Sequence, residues 1–265
     1  NSIREILSNF TRQQSETGQG AYTWTGPNGS GKSSLALVLS ALLGGDKKER
    51  TKAAKKVDPE FAEALWSALP PKTKGWKCVS VVGRRANPSD VIADGIKKAG
   101  FAKRTKFDTE LKVIETLQKL AAEDEDDAGG LILFMDEMGK FLETAALTDG
   151  DAYFFQLLGE AASRSNGRLI VVGILHQSFQ EYASKLAREV RDEWGKIQGR
   201  FLDVPINISG DEQIELVSRA IHQKTLPDSA AENAQLAADL LRQVRPSASV
   251  SLESAFEAAW PLNPL

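Results

Sequence analysis

Residues 20–34 read Gly-Ala-Tyr-Thr-Trp-Thr-Gly-Pro-Asn-Gly-Ser-Gly-Lys-Ser-Ser, and their reading decides the fold. Ala21 to Thr25 has strand character and ends abruptly at Gly26. Gly26-Pro27-Asn28-Gly29-Ser30-Gly31-Lys32-Ser33 then fits G-x-x-x-x-G-K-[ST] without a mismatch, with Ser34 following. An apolar, Leu/Ala-rich segment from Leu35 to Leu43 reads as a helix. The glycines let successive backbone N–H groups turn toward one point. The helix start adds unpaired donors and about half a positive charge. Lys32 supplies a full charge for the β- and γ-phosphates, and the Ser33 hydroxyl is placed to bind Mg²⁺. A glycine-rich turn matches this pattern by chance about once in a hundred chains of this length. The stretch reads as a phosphate cradle for a nucleoside triphosphate.

The second informative stretch is Leu131-Ile132-Leu133-Phe134-Met135-Asp136-Glu137, five apolar residues and then two acids. A strand buried on both faces of a parallel sheet reads as a continuous apolar run. Ligands in open α/β sheets sit at the carboxyl ends of such strands. Asp136 is therefore placed to reach Mg²⁺, and Glu137 to polarise an attacking water. The plainer alternative is a helix N-terminus, which also favours acids.

Three further positions are candidates. Arg168 to Leu175 is another buried-type strand, and it ends in His176-Gln177-Ser178. Either His176 or Gln177 can touch the γ-phosphate or orient the water; the bland role is capping a helix at 179–190. Arg200 stands immediately before a short apolar strand ending at Pro205. An arginine there can project from one subunit into a neighbour's nucleotide, or form an ordinary ion pair. Arg242 and Arg245 can reach the nucleotide from a following helical lid.

Bulk properties bound the rest. The chain has 265 residues and a formal net charge of −3, so it is not a basic nucleic-acid-binding tail as a whole. From Asp46 to Lys106, however, 16 Lys/Arg stand against 7 Asp/Glu. That excess is either a polyanion-binding face or solvated helix surface. The acidic run Glu123 to Asp127 reads as a solvated linker, because adjacent carboxylates on a loop have no fixed coordination geometry. The single cysteine, Cys78, excludes an internal disulfide and fits a reducing cytoplasm. Nothing approaches the apolar run of a membrane span. The chain opens at Asn1 without methionine and stops on Trp260-Pro261-Leu262-Asn263-Pro264-Leu265, so both ends read as cut from a longer protein.

The order of these features resembles the AAA+/STAND branch of P-loop ATPases, over roughly residues 18–245. The resemblance implies a three-layer α/β fold with a mostly parallel sheet in the order 5-1-4-3-2 and a helical lid. Lys32 and Ser33 match Walker A, and Asp136 and Glu137 match Walker B. His176 falls at the first sensor position and Arg200 at the finger. The sequence departs from the pattern in using histidine as sensor, in showing no clear second sensor arginine, and in the long interval from Lys32 to Asp136. The phrases Phe134 to Phe141 and His176 to Phe179 also resemble large bacterial ATP-binding proteins of antiphage defence.

The expected layout is a P-loop ATPase core over residues 1–208, with a basic insertion at about 45–107, and a truncated helical lid over 209–265. The implied ligands are ATP and Mg²⁺, ATP being preferred because no guanine-reading Asn-Lys-x-Asp motif appears. The implied partners are further copies or a larger complex, with nucleic acid through 46–106 and no membrane. The rival reading is a nucleotide-gated oligomerisation switch with little turnover. An ABC/SMC-type ATPase would need a Ser-Gly-Gly signature ahead of Asp136, and a small-molecule kinase an acceptor motif; neither is present.

Overall fold

A computed structural model describes residues 18–122, 127–147, 153–176, 195, 197–206, 214, 217–221, 225–245 and 252–262. The helix considered at 179–190, most of the acidic run and Gln177 lie outside these residues. The chain divides into two compact units, one running to Ile206 and the other spanning Asn207–Leu265.

In the first unit, strands β1 (Ala21–Thr25), β2 (Lys77–Val82), β3 (Leu131–Asp136), β4 (Leu169–Leu175) and β5 (Leu202–Pro205) form one sheet in the order β2-β3-β4-β1-β5. Every described pairing is parallel. Read from the other edge, this is the expected order 5-1-4-3-2. The apolar runs have the reason anticipated: every residue of β1 and β4 is buried, as are the apolar residues of β3. A strand covered on both faces has no polar side to show.

Alternation along the strands feeds two separate cores. Leu131, Leu133, Met135, Leu169, Val171 and Leu175 point to one side. There they meet α4 (Pro88–Lys98), α5 (Glu110–Ala122), α6 (Met138–Leu147) and α7 (Tyr153–Ser163). Ile132, Phe134, Ile170, Val172 and Ile174 point to the other, against α1 (Lys32–Leu43), α2 (Lys47–Val57) and α3 (Pro59–Ala68). The architecture is a three-layer α/β sandwich.

The basic stretch is distributed over this frame. Only α2 and α3 are interposed between the first helix and the next strand; β2 and α4, also within it, belong to the sheet and its opposite layer. The chain leaves α1 at Gly44, whose N–H reaches Ser40 O at 2.9 Å. It enters α2 through a capping box: Asp46 Oδ1 accepts from Glu49 N at 2.9 Å, and Glu49 Oε2 accepts from Asp46 N at 3.2 Å. Two of the cations are buried. Arg50 donates to the carbonyls of Gly45 and, at 2.9 Å, Lys72, tying α2 to the loop before β2. Burial lowers its pKa, and Asp46 opposes the shift. Lys77 donates to Leu120 O at 2.9 Å, and Arg168 Nε to Ala121 O at 3.0 Å. These two cations satisfy carbonyls at the C-terminus of α5, where positive charge is favoured.

In the second unit, α8 (Asp228–Val244) packs on α9 (Leu252–Ala258) through Ala234, Ala237, Ala238, Leu252 and Phe256.

Candidate nucleotide site

The parallel register sets which strand ends meet. Thr25 lies opposite Leu175, and Val82 opposite Asp136. The loop from Gly26, His176 after β4 and the acids closing β3 therefore emerge from the same end of the sheet. β4 lies between β1 and β3, so His176 stands between the phosphate loop and the acids in strand order. His176 is exposed.

Gly26 admits no side chain. A Cβ there would lie 2.3 Å from Ile206 O, on the segment that leaves β5. Gly31 sits at the N-cap of α1 with φ +83°, a left-handed conformation that glycine adopts without strain. No side chain caps this helix, and its first turn holds no acid. The positive helix end is thus left uncompensated by the protein. Pro27, Asn28, Gly29, Ser33 and Ser34 are exposed, whereas Ser30 is buried.

Lys32 is 4% exposed and folds back onto its own loop. Its Nζ donates to Gly26 O at 2.7 Å, Pro27 O at 2.8 Å and Ser30 Oγ at 3.1 Å. An ammonium has three N–H groups, and these bonds use all three. Reaching a phosphate means exchanging at least one of them. Burial pulls the Lys32 pKa down, and the field of Asp136 opposes the shift. That coupling ties the two halves of the site together.

At the end of β3, Asp136 Oδ1 accepts from Glu137 N at 2.9 Å. Glu137 has φ +52°, a region that a side-chain-bearing residue seldom occupies. Its Oε2 is ion-paired with Lys140, one turn into α6. Gly83, just past β2, donates its N–H to Asp136 O at 2.7 Å, and a Cβ on it would come within 2.1 Å of Glu137 O. Lys140 and Gly83 were not singled out from the sequence. The Glu137/Lys140 spacing of three was readable as a helical ion pair; the Gly83 contact is purely tertiary. Thr23 and Thr25 donate to the two oxygens of Asp203 at 2.9 and 3.1 Å, stitching β5 to the strand that carries the loop.

The donor set suits Mg²⁺. An exposed Ser33 hydroxyl and an Asp136 carboxylate with one oxygen not used by Glu137 N are hard oxygen ligands, few in number. Mg²⁺ favours such sites because it retains several waters. Among the described residues no cluster of three or more His, Cys, Asp and Glu offers an all-protein cage.

Arg200 lies at the opposite end of the sheet. Its carbonyl accepts from Gln19 Nε2 at 3.0 Å, ahead of β1. From there to Gly26 the extended chain spans roughly 20 Å at ~3.3 Å per residue. Its guanidinium is paired with Glu160 of α7 at 2.8 Å. Arg200 therefore does not belong to the phosphate loop of its own chain. Arg242 is bonded within the second unit, to Glu253 at 2.5 Å and Asp239 at 3.4 Å, and Arg245 is exposed.

No protein-family model matches the chain, and no curated protein matches it significantly. Solved structures do. The ORC2 protein of Aeropyrum pernix, in ADPNP–ADP complexes, aligns over 98% of this chain and 67% of its own length, with a TM-score of 0.51 at 16% identity. The chain shares the fold of that protein over the aligned span. The ADP form of the same protein aligns over 98% of this chain and 60% of its own, with TM-score 0.48 and 17% identity. Cdc6p from Pyrobaculum aerophilum aligns over 88% and 53%, with TM-score 0.39 and 12% identity. At such identities the likeness is one of fold. No described helix is long and apolar enough to cross a membrane.

Proposed function

We propose that the chain is a Mg²⁺-dependent module that binds and hydrolyses ATP to drive conformational change or assembly in a larger cytoplasmic complex. The observation that carries this reading is the meeting of the Lys32 loop, Asp136 and Glu137 at one end of one parallel sheet, with Lys32 in the field of Asp136. Lys32 and the loop amides hold the β- and γ-phosphates. Ser33 and Asp136 hold Mg²⁺, which when bound neutralises phosphate charge. Glu137 orients the attacking water, and His176 or Gln177 contacts the γ-phosphate from the tip of β4. Arg200, at the far end of the sheet, acts on a neighbouring copy's nucleotide after leaving Glu160. The ORC2 structure in ADPNP–ADP complexes supports nucleotide as the ligand of this fold. The basic surface within 46–106 is the nucleic-acid contact, and the resemblance to antiphage-defence proteins suggests a DNA-directed defence assembly.

One observation favours a second reading. All three Lys32 donors are satisfied by the loop itself. A site so self-contained also suits a nucleotide-gated switch with little turnover.

The test is steady-state phosphate release by the wild-type chain and Glu137→Gln, across protein concentration and with or without double-stranded DNA. Glu137→Gln should retain ATP binding and lose at least about a hundredfold in turnover. A wild-type rate in that variant would falsify the hydrolytic reading. Turnover rising steeply with concentration, and lost in Arg200→Ala, assigns the finger between copies. Flat, low turnover insensitive to DNA favours the switch.

A further inference from the structure

We infer that Lys140 is a positioning residue for Glu137: its ammonium holds Oε2 and leaves Oε1 to meet the attacking water. The inference rests on the proposed role of Glu137 and deepens it. It starts from the backbone. Glu137 sits at φ +52°, a conformation that persists only where the surroundings over-determine it. Three contacts do so here. Asp136 Oδ1 takes its N–H at 2.9 Å, Lys140 N donates to its carbonyl at 3.0 Å, and Gly83 packs so closely on that carbonyl that a Cβ would reach 2.1 Å.

A fixed backbone still leaves a glutamate with rotatable side-chain torsions. The side chain of Glu137 is 33% exposed, so packing alone does not select one rotamer. The ion pair to Lys140 does. Its own anchor is firm: Met138, Phe141 and Leu142, which flank Lys140 on α6, are fully buried, and Met138 packs against Gly173 of β4. An ordinary helix-surface pair gains little, because two long side chains must both be ordered. At this position the acid's backbone is already held by its three contacts and the helix carrying the base by its buried neighbours. The pair's effect is therefore orientation of a carboxylate, and a carboxylate has a second oxygen with lone pairs to spare for water.

The experiment measures single-turnover cleavage of the γ-phosphate, together with ATP affinity, in the full chain. The variants are Lys140→Met, Lys140→Arg, Glu137→Gln and the Lys140→Met/Glu137→Gln double variant. Lys140→Met should lower the rate about tenfold while ATP affinity stays within about twofold, since a small misplacement costs rate rather than binding. Lys140→Arg, which restores a cation at the same spacing, should recover most of the loss. In the Glu137→Gln background, Lys140→Met should have no further effect, because its action passes through the carboxylate. An unchanged or faster rate in Lys140→Met, or the same loss in both backgrounds, overturns the inference. If Glu137→Gln itself turns over at the wild-type rate, the hydrolytic reading fails first. If Glu137→Gln is inactive and Lys140→Met is normal, only the positioning role is lost.

Discussion

The two ends of the sheet use charged residues in opposite ways. At the carboxyl end, the side-chain bonds of the three charged residues of the proposed site are local: Lys32 bonds to groups two to six residues away, Asp136 to its neighbour, Glu137 to a residue three away. At the amino end, they are distant. Lys77 and Leu120 are 43 residues apart, Arg168 and Ala121 are 47, and the Gln19 side chain meets a carbonyl 181 residues on. A local bond can be exchanged for a ligand without separating two elements of the fold. A distant one cannot, because it is part of what keeps the elements together. The charges free to change partners are thus collected where the nucleotide is proposed to bind, and the structural ones are kept at the other end.

Distant bonds reach the carboxyl end as well: Thr25 donates to Asp203 at 3.1 Å and accepts from Ile206 N at 2.6 Å, and Gly83, 53 residues before Asp136 in the chain, is bonded to the Asp136 carbonyl at 2.7 Å, beside the acids themselves. Gly83→Ala should therefore have the largest effect of a substitution outside the ligand-binding residues. Its Cβ must push the Asp136–Glu137 turn by some tenths of an ångström to an ångström. We expect phosphate release to fall by about a hundredfold, the scale of a misplaced catalytic group. ATP affinity, read by titration, should be nearly unchanged, since Lys32 and its loop are on another strand. A rate within a factor of about three of wild type would show that the turn tolerates movement and that its backbone strain has no catalytic meaning.

The contrast explains what could be read from the sequence. The phosphate loop was legible because its bonds join residues within one octapeptide. β3 and β4 were legible because burial on both faces leaves an unbroken apolar run. The helix α2 was legible only as a basic stretch, since lysines crowd its surface, although the Asp46-x-x-Glu49 capping box marked its start. The apolar run after Arg200 marks a strand, but which end of the sheet Arg200 occupies follows from the parallel pairing of β5 with β1, which no local pattern states. Gly83 carries no local signal at all. Contacts between distant segments are where sequence reading ran out, and Gly83 shows that one of them reaches the site.

At the amino end the expectation is reversed. Lys77 is 7% exposed, and its ammonium satisfies the Leu120 carbonyl at the end of α5. Lys77→Met keeps the apolar stem and removes the donor. Stability in urea should drop by about 1–3 kcal/mol, the range for losing a buried charge-assisted hydrogen bond. Turnover per folded molecule should not change. If the rate fell in proportion to the stability lost, the two ends would be mechanically coupled and the division drawn between them would fail.

The smallest effect concerns Cys78, on β2 beside the end of α1. Its thiol lies 3.9 Å from Ser40 O and 3.7 Å from Trp76 O. Burial pushes its pKa up to about 12 from an ordinary value of 9.0, and the contact with Ser40 acts weakly the other way. The folded chain then keeps a proton that the unfolded chain loses, so the contribution to stability is full below pH 9 and declines as pH rises toward 12. The slope is at most about 1.4 kcal/mol per pH unit. The Tyr22 phenol, also raised by burial, adds a limb of the same sign that begins only above its ordinary value of 10.0. Tyr22 and Lys32, whose pKa burial lowers, titrate alike in the wild type and in Cys78→Ala, so the difference between the two proteins isolates the cysteine. Urea midpoints measured at about pH 8, 9 and 10 should decline in the wild type and flatten in Cys78→Ala, whatever the substitution costs in absolute stability. Equal slopes in the two proteins would mean that the thiol ionises as readily folded as unfolded, and that water reaches β2 from the amino end of the sheet.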